Sequence, residues 1–69
     1  MRTNRIIREK LGAYLLESDK SRGQLANEIG ISRQTLTERL LGRTEWKWQE
    51  VLQISRITKT SLDELAGLR

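Results

Sequence analysis

The chain predicts an all-α fold, a compact bundle of five short helices with a central helix-turn-helix. Three observations carry this. Apolar residues recur at helical rather than alternating spacing. No proline occurs among the 69 residues, so none interrupts a helix. Serines and glycines stand where short helices would begin and end.

The first helix is expected over residues 4–18, with Ile7, Leu11, Tyr14, Leu15 and Ile6 forming its apolar stripe. Gly12 lies inside it at a cost of about 1 kcal/mol, which suggests the close approach of another helix. Ser21 opens the second helix, and Ser21-x-x-Gln24 fits a capping box, which satisfies two amides with no partner in the first turn. Gly30 ends that helix, since the residue after a helix commonly turns left-handed. Ser32 caps the third helix, residues 33–41, and Gly42 closes it. Leu25, Ala26 and Ile29 are the buried positions of the second helix; Ile31, Leu36 and Leu40 are those of the turn and third helix.

After the polar turn Arg43-Thr44-Glu45, a fourth helix begins near Lys47 or Trp48. Its inward face is expected to hold Trp48, Val51, Leu52 and Ser55, with Ile54 and Ile57 alongside. A second capping box, Ser61-x-x-Glu64, starts a final short helix bearing Leu62, Leu65 and Ala66. Connections of about two to five residues suit a helical bundle. No repeat, low-complexity segment or linker divides residues 1–69, which read as a single domain.

Composition narrows the function classes. There is no cysteine and no histidine, so no disulfide framework and no thiolate or imidazole zinc site can form. Ser-His-Asp and Cys-His nucleophilic arrangements are equally out of reach. No enzyme activity, catalytic residue, metal, cofactor or small-molecule ligand is expected. The adjacent carboxylates Asp63-Glu64 open a helix, where the dipole favours negative charge. No run of about 18 apolar residues is present to span a membrane. The stretch MRTNRIIREKLG is charged throughout and lacks a signal-peptide pattern, so the cytoplasm is the expected location. Thirteen basic residues against nine acidic leave a net charge of +4, which favours a polyanionic partner if the charges are suitably placed.

Between the buried positions of the third helix stand Ser32, Arg33, Gln34, Thr37 and Glu38, residue types that can read base-pair edges. A helix held out from a small body by a tight glycine turn has the form that enters a DNA major groove. Residues 22–42, RGQLANEIGISRQTLTERLLG, resemble the helix-turn-helix of the lambda-repressor-like family, the Cro and repressor type. Ala26 matches the family's small residue mid-way along the first of the two helices, and Gly30 its glycine four residues later. Leu25, Ile29, Ile31 and Leu36 match its apolar positions. The stretch from Ile54-Ser55-Arg56 to Ser61-Leu62-Asp63-Glu64-Leu65 is similar to the family's last two helices, so the resemblance covers residues 5–66.

Three positions depart from the pattern. Arg39 stands where the family is usually apolar, with Leu40 beside it; this resembles a subset whose third helix ends Arg-Leu and whose next helix follows a tryptophan, as with Trp46 and Trp48. A slightly rotated third helix is implied. Thr58 and Thr60 replace the usual Leu and Val, implying a looser turn before the last helix. A Cro-like C-terminal strand for dimer formation has no counterpart.

Roles follow from position in this frame. Arg33 and Gln34, the first residues of the third helix, are expected to read bases, arginine by clamping guanine and glutamine by pairing with adenine. Thr37, one turn on, is placed to touch a thymine methyl. Glu38 either accepts from a cytosine amine, repels phosphate to exclude wrong sequences, stands as a solvated carboxylate, or pairs in the neighbourhood of Arg39. Ser21, Arg22, Ser32, Arg43, Thr44 and Lys47 are expected at phosphates, fixing register without reading sequence. Arg39 either joins them or lies over Trp46. Trp46 and Trp48 read as core or hinge side chains rather than base-stacking ones. Arg2, Arg5, Arg8 and Lys10 read as a solvated, fraying end rather than as phosphate contacts.

The resemblance therefore implies a sequence-specific regulator of transcription, like a short phage Cro or repressor, that binds operator DNA and occludes promoters in a bacterial or phage-infected cell. A palindromic operator bound by two copies is expected, with half-sites about 34 Å apart. Leu62, Leu65 and Leu68 are the candidate dimer residues, and a dimer formed only on DNA is the alternative. Other readings of the same fold are an antitoxin, a recombination directionality factor, or a module that presents its helices to a protein.

Overall fold

A computed structural model of the chain describes residues 2–67. It is all-α: α1 (Arg2–Ser18), α2 (Arg22–Ile29), α3 (Arg33–Leu40), α4 (Trp48–Thr58) and α5 (Leu62–Leu65), with no strand among the described residues. α1 begins two residues earlier than the apolar pattern requires, and α3 stops one residue sooner, with Leu41 as its C-cap.

The caps are where local chemistry places them. The Ser21 hydroxyl accepts from the Gln24 amide at 3.2 Å, and the Gln24 side chain accepts from the Ser21 amide at 2.9 Å, completing the capping box. Gly30 turns left-handed at φ 90°, and its amide and that of Ile31 both reach Ala26 O at 2.9 Å. A Cβ at Gly30 would meet no atom within 4 Å, so this glycine serves the backbone angle and not a close contact. Ser61 caps α5 through the Glu64 amide at 3.1 Å, the serine half of the expected box.

Every helix contributes to one core: Ile7 and Leu11 from α1, Leu25, Ala26 and Ile29 from α2, Leu36 from α3, Ile54 from α4 and Leu65 from α5. Ile6, Tyr14, Leu15, Ile31, Leu40, Trp46, Val51 and Ile57 pack around it. α2 lies against α3 and α4, while α1 and α5 pack on α4 and on each other. Polar ties add to this packing. Lys20 Nζ donates to Tyr14 Oη and Glu28 Oε2, both at 2.9 Å, joining the end of α1 to α2. The hydrogen bonds to Glu28 and Tyr14 raise the Lys20 amine to about 12. Lys10 and Glu64 pair at 2.8 Å between α1 and α5.

Four expectations are overturned. Trp48 is 63% exposed, and Trp46 is the tryptophan against the core, its indole donating to Asn4 Oδ1 at 2.9 Å. The inward face of α4 is set by Glu50 and Ile54; Trp48 lies two residues before Glu50, about 200° around the helix. Ser55 is half-buried, and its hydroxyl is bound to the Thr60 carbonyl at 2.6 Å. The turn before α5 is consequently tied, not loose: Thr58 Oγ1 donates to Ile54 O at 2.7 Å, Thr60 is buried, and Lys59 takes the left-handed angle at φ 54°. Gly12 is exposed with nothing within 4 Å of an added Cβ, so no helix approaches it. Leu65 is fully buried and offers no surface to a second copy; Leu62 is half-buried, and Leu68 lies outside the described residues.

Candidate nucleic-acid interface

α3 is the helix on which the candidate reading residues meet. Its start is fixed by Ser32, whose hydroxyl accepts from the Thr35 amide at 3.0 Å and donates to Thr35 Oγ1 at 2.8 Å. The Ser32 proton is thus engaged within the cap, which limits what it can offer a phosphate. Leu36 is buried completely and anchors the helix by one side. Arg33 and Gln34 are left exposed at the first turn, and Arg33 has no ion-pair partner among the described residues. Thr37 donates its hydroxyl to Arg33 O at 3.1 Å, so its methyl is the group still available to a base.

The end of α3 is built differently. Arg39 is 8% exposed and Glu50 6%, and the two are bidentate, Nε to Oε1 at 2.6 Å and Nη2 to Oε2 at 3.0 Å. Arg39 Nη1 donates to Thr44 Oγ1 at 2.8 Å, and the Lys47 amide donates to Glu50 Oε1 at 3.0 Å. One ion pair therefore joins the last turn of α3, the following loop and the first turn of α4. Burial pushes the Glu50 carboxyl up, but the Arg39 guanidinium and the Lys47 amide outweigh it and hold the group below its ordinary value. Arg39 neither reaches outward to phosphate nor lies over Trp46. No buried side-chain polar atom among the described residues lacks a hydrogen-bond partner.

The remaining candidates frame α3. Ser21 and Arg22 are exposed at the start of α2. Glu38 is half-buried and faces Arg43, Nη1 to Oε1 at 3.4 Å, so a candidate reader and a candidate phosphate contact partly neutralise each other. Thr44 and Lys47 are exposed in the loop organised by Arg39 and Glu50. Because the Thr44 oxygen accepts from Arg39, its own proton is directed elsewhere.

Two features escaped the sequence. The partner of Arg39 is one; a buried-face arginine followed eleven residues later by Glu50 is a signal, but only the packing of α3 on α4 makes it specific. The other is Arg8, which stands with Arg22, Thr37, Leu40 and Leu41 around a cleft of about 210 Å³. The charge run at the start of α1 gave no sign that one of its arginines borders α3. No family model, curated protein or solved structure matches this chain.

Proposed function

We propose that the protein is a sequence-specific double-stranded DNA-binding regulator of transcription, of the Cro and repressor kind, that sets α3 in the major groove of an operator and occludes a promoter. The observation that carries the reading is the exposed Arg33 and Gln34, without a side-chain partner among the described residues, at the first turn of a helix whose other side is anchored by Leu36. A guanidinium and a carboxamide at the leading end of a rigidly capped helix match the donor and acceptor patterns of guanine and adenine. The exposed Ser21, Arg22, Thr44 and Lys47, on the elements flanking α3, supply sequence-independent contacts to the backbone on either side. Two copies bind a palindrome, in the cytoplasm of a bacterial or phage-infected cell.

Selection of bound duplexes from a random pool, with the size of the complex measured on the winners, tests this. A palindrome bound by two chains is expected, with affinity falling steeply as salt rises and lost when Arg33→Ala and Gln34→Ala are combined. Weak, salt-insensitive binding overturns the reading. One chain on a single asymmetric site overturns the dimer.

A further inference from the structure

We infer that Arg8 of α1 and Arg22 of α2 form a clamp for one phosphodiester of the DNA backbone, at the cleft they share with Thr37, Leu40 and Leu41. The inference rests on the DNA-binding reading above and assigns one place on the protein to one chemical unit of the partner.

Arg5, Lys10, Lys20, Arg39 and Arg43 each have a carboxylate partner, whereas Arg33, Lys47, Arg56 and Lys59 have none among the described residues. Arg8 and Arg22 have none among the described residues, yet the fold brings both to the rim of one concavity of about 210 Å³. Two guanidiniums on one cleft, with no counter-ion among the described residues, create a local positive potential that an anion relieves, and the planar fork of arginine suits phosphate oxygens.

The rest of the cleft selects among anions. Leu40 and Leu41 supply an apolar wall, and Leu41 is 59% exposed, a large hydrophobic left in water beside two charges. A nucleic-acid backbone alternates an anionic phosphate with an apolar sugar, and this pairing of charges with leucine meets both. Thr37 lies in the same cleft, so a phosphate held there sits beside a residue of the reading helix and sets its register.

The placement of Arg8 follows from the fold. Asn4, four residues earlier and so on the same side of α1, accepts from Trp46 in the loop after α3. That side of α1 therefore runs along the end of α3, and Arg8 reaches the cleft from it.

The test measures affinity against salt for the selected duplex and for a scrambled duplex of equal length. Arg8→Ala combined with Arg22→Ala is expected to reduce the slope of log affinity on log salt by about 0.9, the value for one phosphate, so the loss between about 50 and 200 mM salt shrinks about 3.5-fold; Arg8→Ala alone removes part of that slope. The preference for the selected over the scrambled duplex stays at the wild-type ratio, and Arg8→Lys retains the slope. Leu41→Ser weakens binding with the slope unchanged. Arg5→Ala, one turn earlier on α1 and already paired with Glu9, leaves the slope at its wild-type value. An Arg8→Ala protein that keeps both the wild-type slope and the preference overturns the clamp and leaves the DNA reading standing. An equal loss in Arg5→Ala also overturns it, by showing a diffuse effect of charge. A wild-type protein with no salt-dependent DNA binding overturns both.

Discussion

Arginine occurs at both ends of α3, and the two ends meet opposite fates. Arg33 is exposed at the first turn with no ion-pair partner among the described residues, whereas Arg39 in the last turn is 8% exposed and bound to Glu50 and Thr44. The residue type is the same, and the difference lies in what packs beside each end. The first turn leaves Arg33 and Gln34 in solvent, while the last turn is bonded to the start of α4. A basic residue on a candidate reading helix is thus no sign by itself of contact with a polyanion. Here one arginine stands exposed on the candidate reading helix and the other ties that helix to α4. The Arg39–Glu50 pair ties the last turn of α3 to the first turn of α4.

The largest effect is expected at the buried end of α3. Glu50→Ala leaves the Arg39 guanidinium buried and unmatched, a loss of about 3–5 kcal/mol. A domain of this size has roughly 3–10 kcal/mol in total at about 0.05–0.15 kcal/mol per residue, so the midpoint of the urea melt should fall by roughly a third or more. Arg39→Met combined with Glu50→Leu removes both charges together and is expected to fold. The pair also has a pH signature. The Glu50 carboxyl is held below its ordinary 4.5, so its stabilisation is complete above that value and is lost as pH falls through the lower folded one. The stability difference between wild type and Glu50→Gln should therefore narrow in acid.

At the exposed end, Arg33→Lys keeps the charge but removes the bidentate fork. Discrimination at the contacted base pair should fall by about 1–3 kcal/mol in competition binding, with the salt slope and melting temperature unchanged. Smaller again is Ser32→Ala, which takes the cap from under Arg33 and costs about 1 kcal/mol of stability by thermal melting. The smallest effect has the opposite sign. Gly12→Ala, at an exposed helical site with free space, should raise stability by about 0.5–1 kcal/mol and leave DNA affinity as it was. Together these separate loss of binding through unfolding from loss of binding at the interface.

Much of the fold was legible because its signals are short-range. A serine that accepts from an amide three residues on, a glycine that turns left-handed after a helix and a stripe of leucines and isoleucines all act within a turn or two. The caps at Ser21, Ser32 and Ser61, the turn at Gly30 and the core from Ile7 to Leu65 follow from such rules. Trp48 was misplaced for the same reason that Arg39 was left open. The inward face of α4 is chosen by a carboxylate, Glu50, whose burial makes sense only once its partner eleven residues earlier is known. An apolar count along α4 gives a large weight to tryptophan and none to a buried acid.

By itself the sequence determined the number of helices, their caps, the helix-turn-helix and the leading position of Arg33 and Gln34 on α3. Tertiary structure alone decided that Arg39 belongs to Glu50, that Trp46 rather than Trp48 meets the core, and that Arg8 stands with Arg22 beside Thr37. The first set depends on hydrogen bonds and periodicity within one segment, where neighbours in sequence are neighbours in space. The second depends on which faces of separate helices meet, and a buried charge, an indole N–H and a surface guanidinium each take their meaning from a partner on another element.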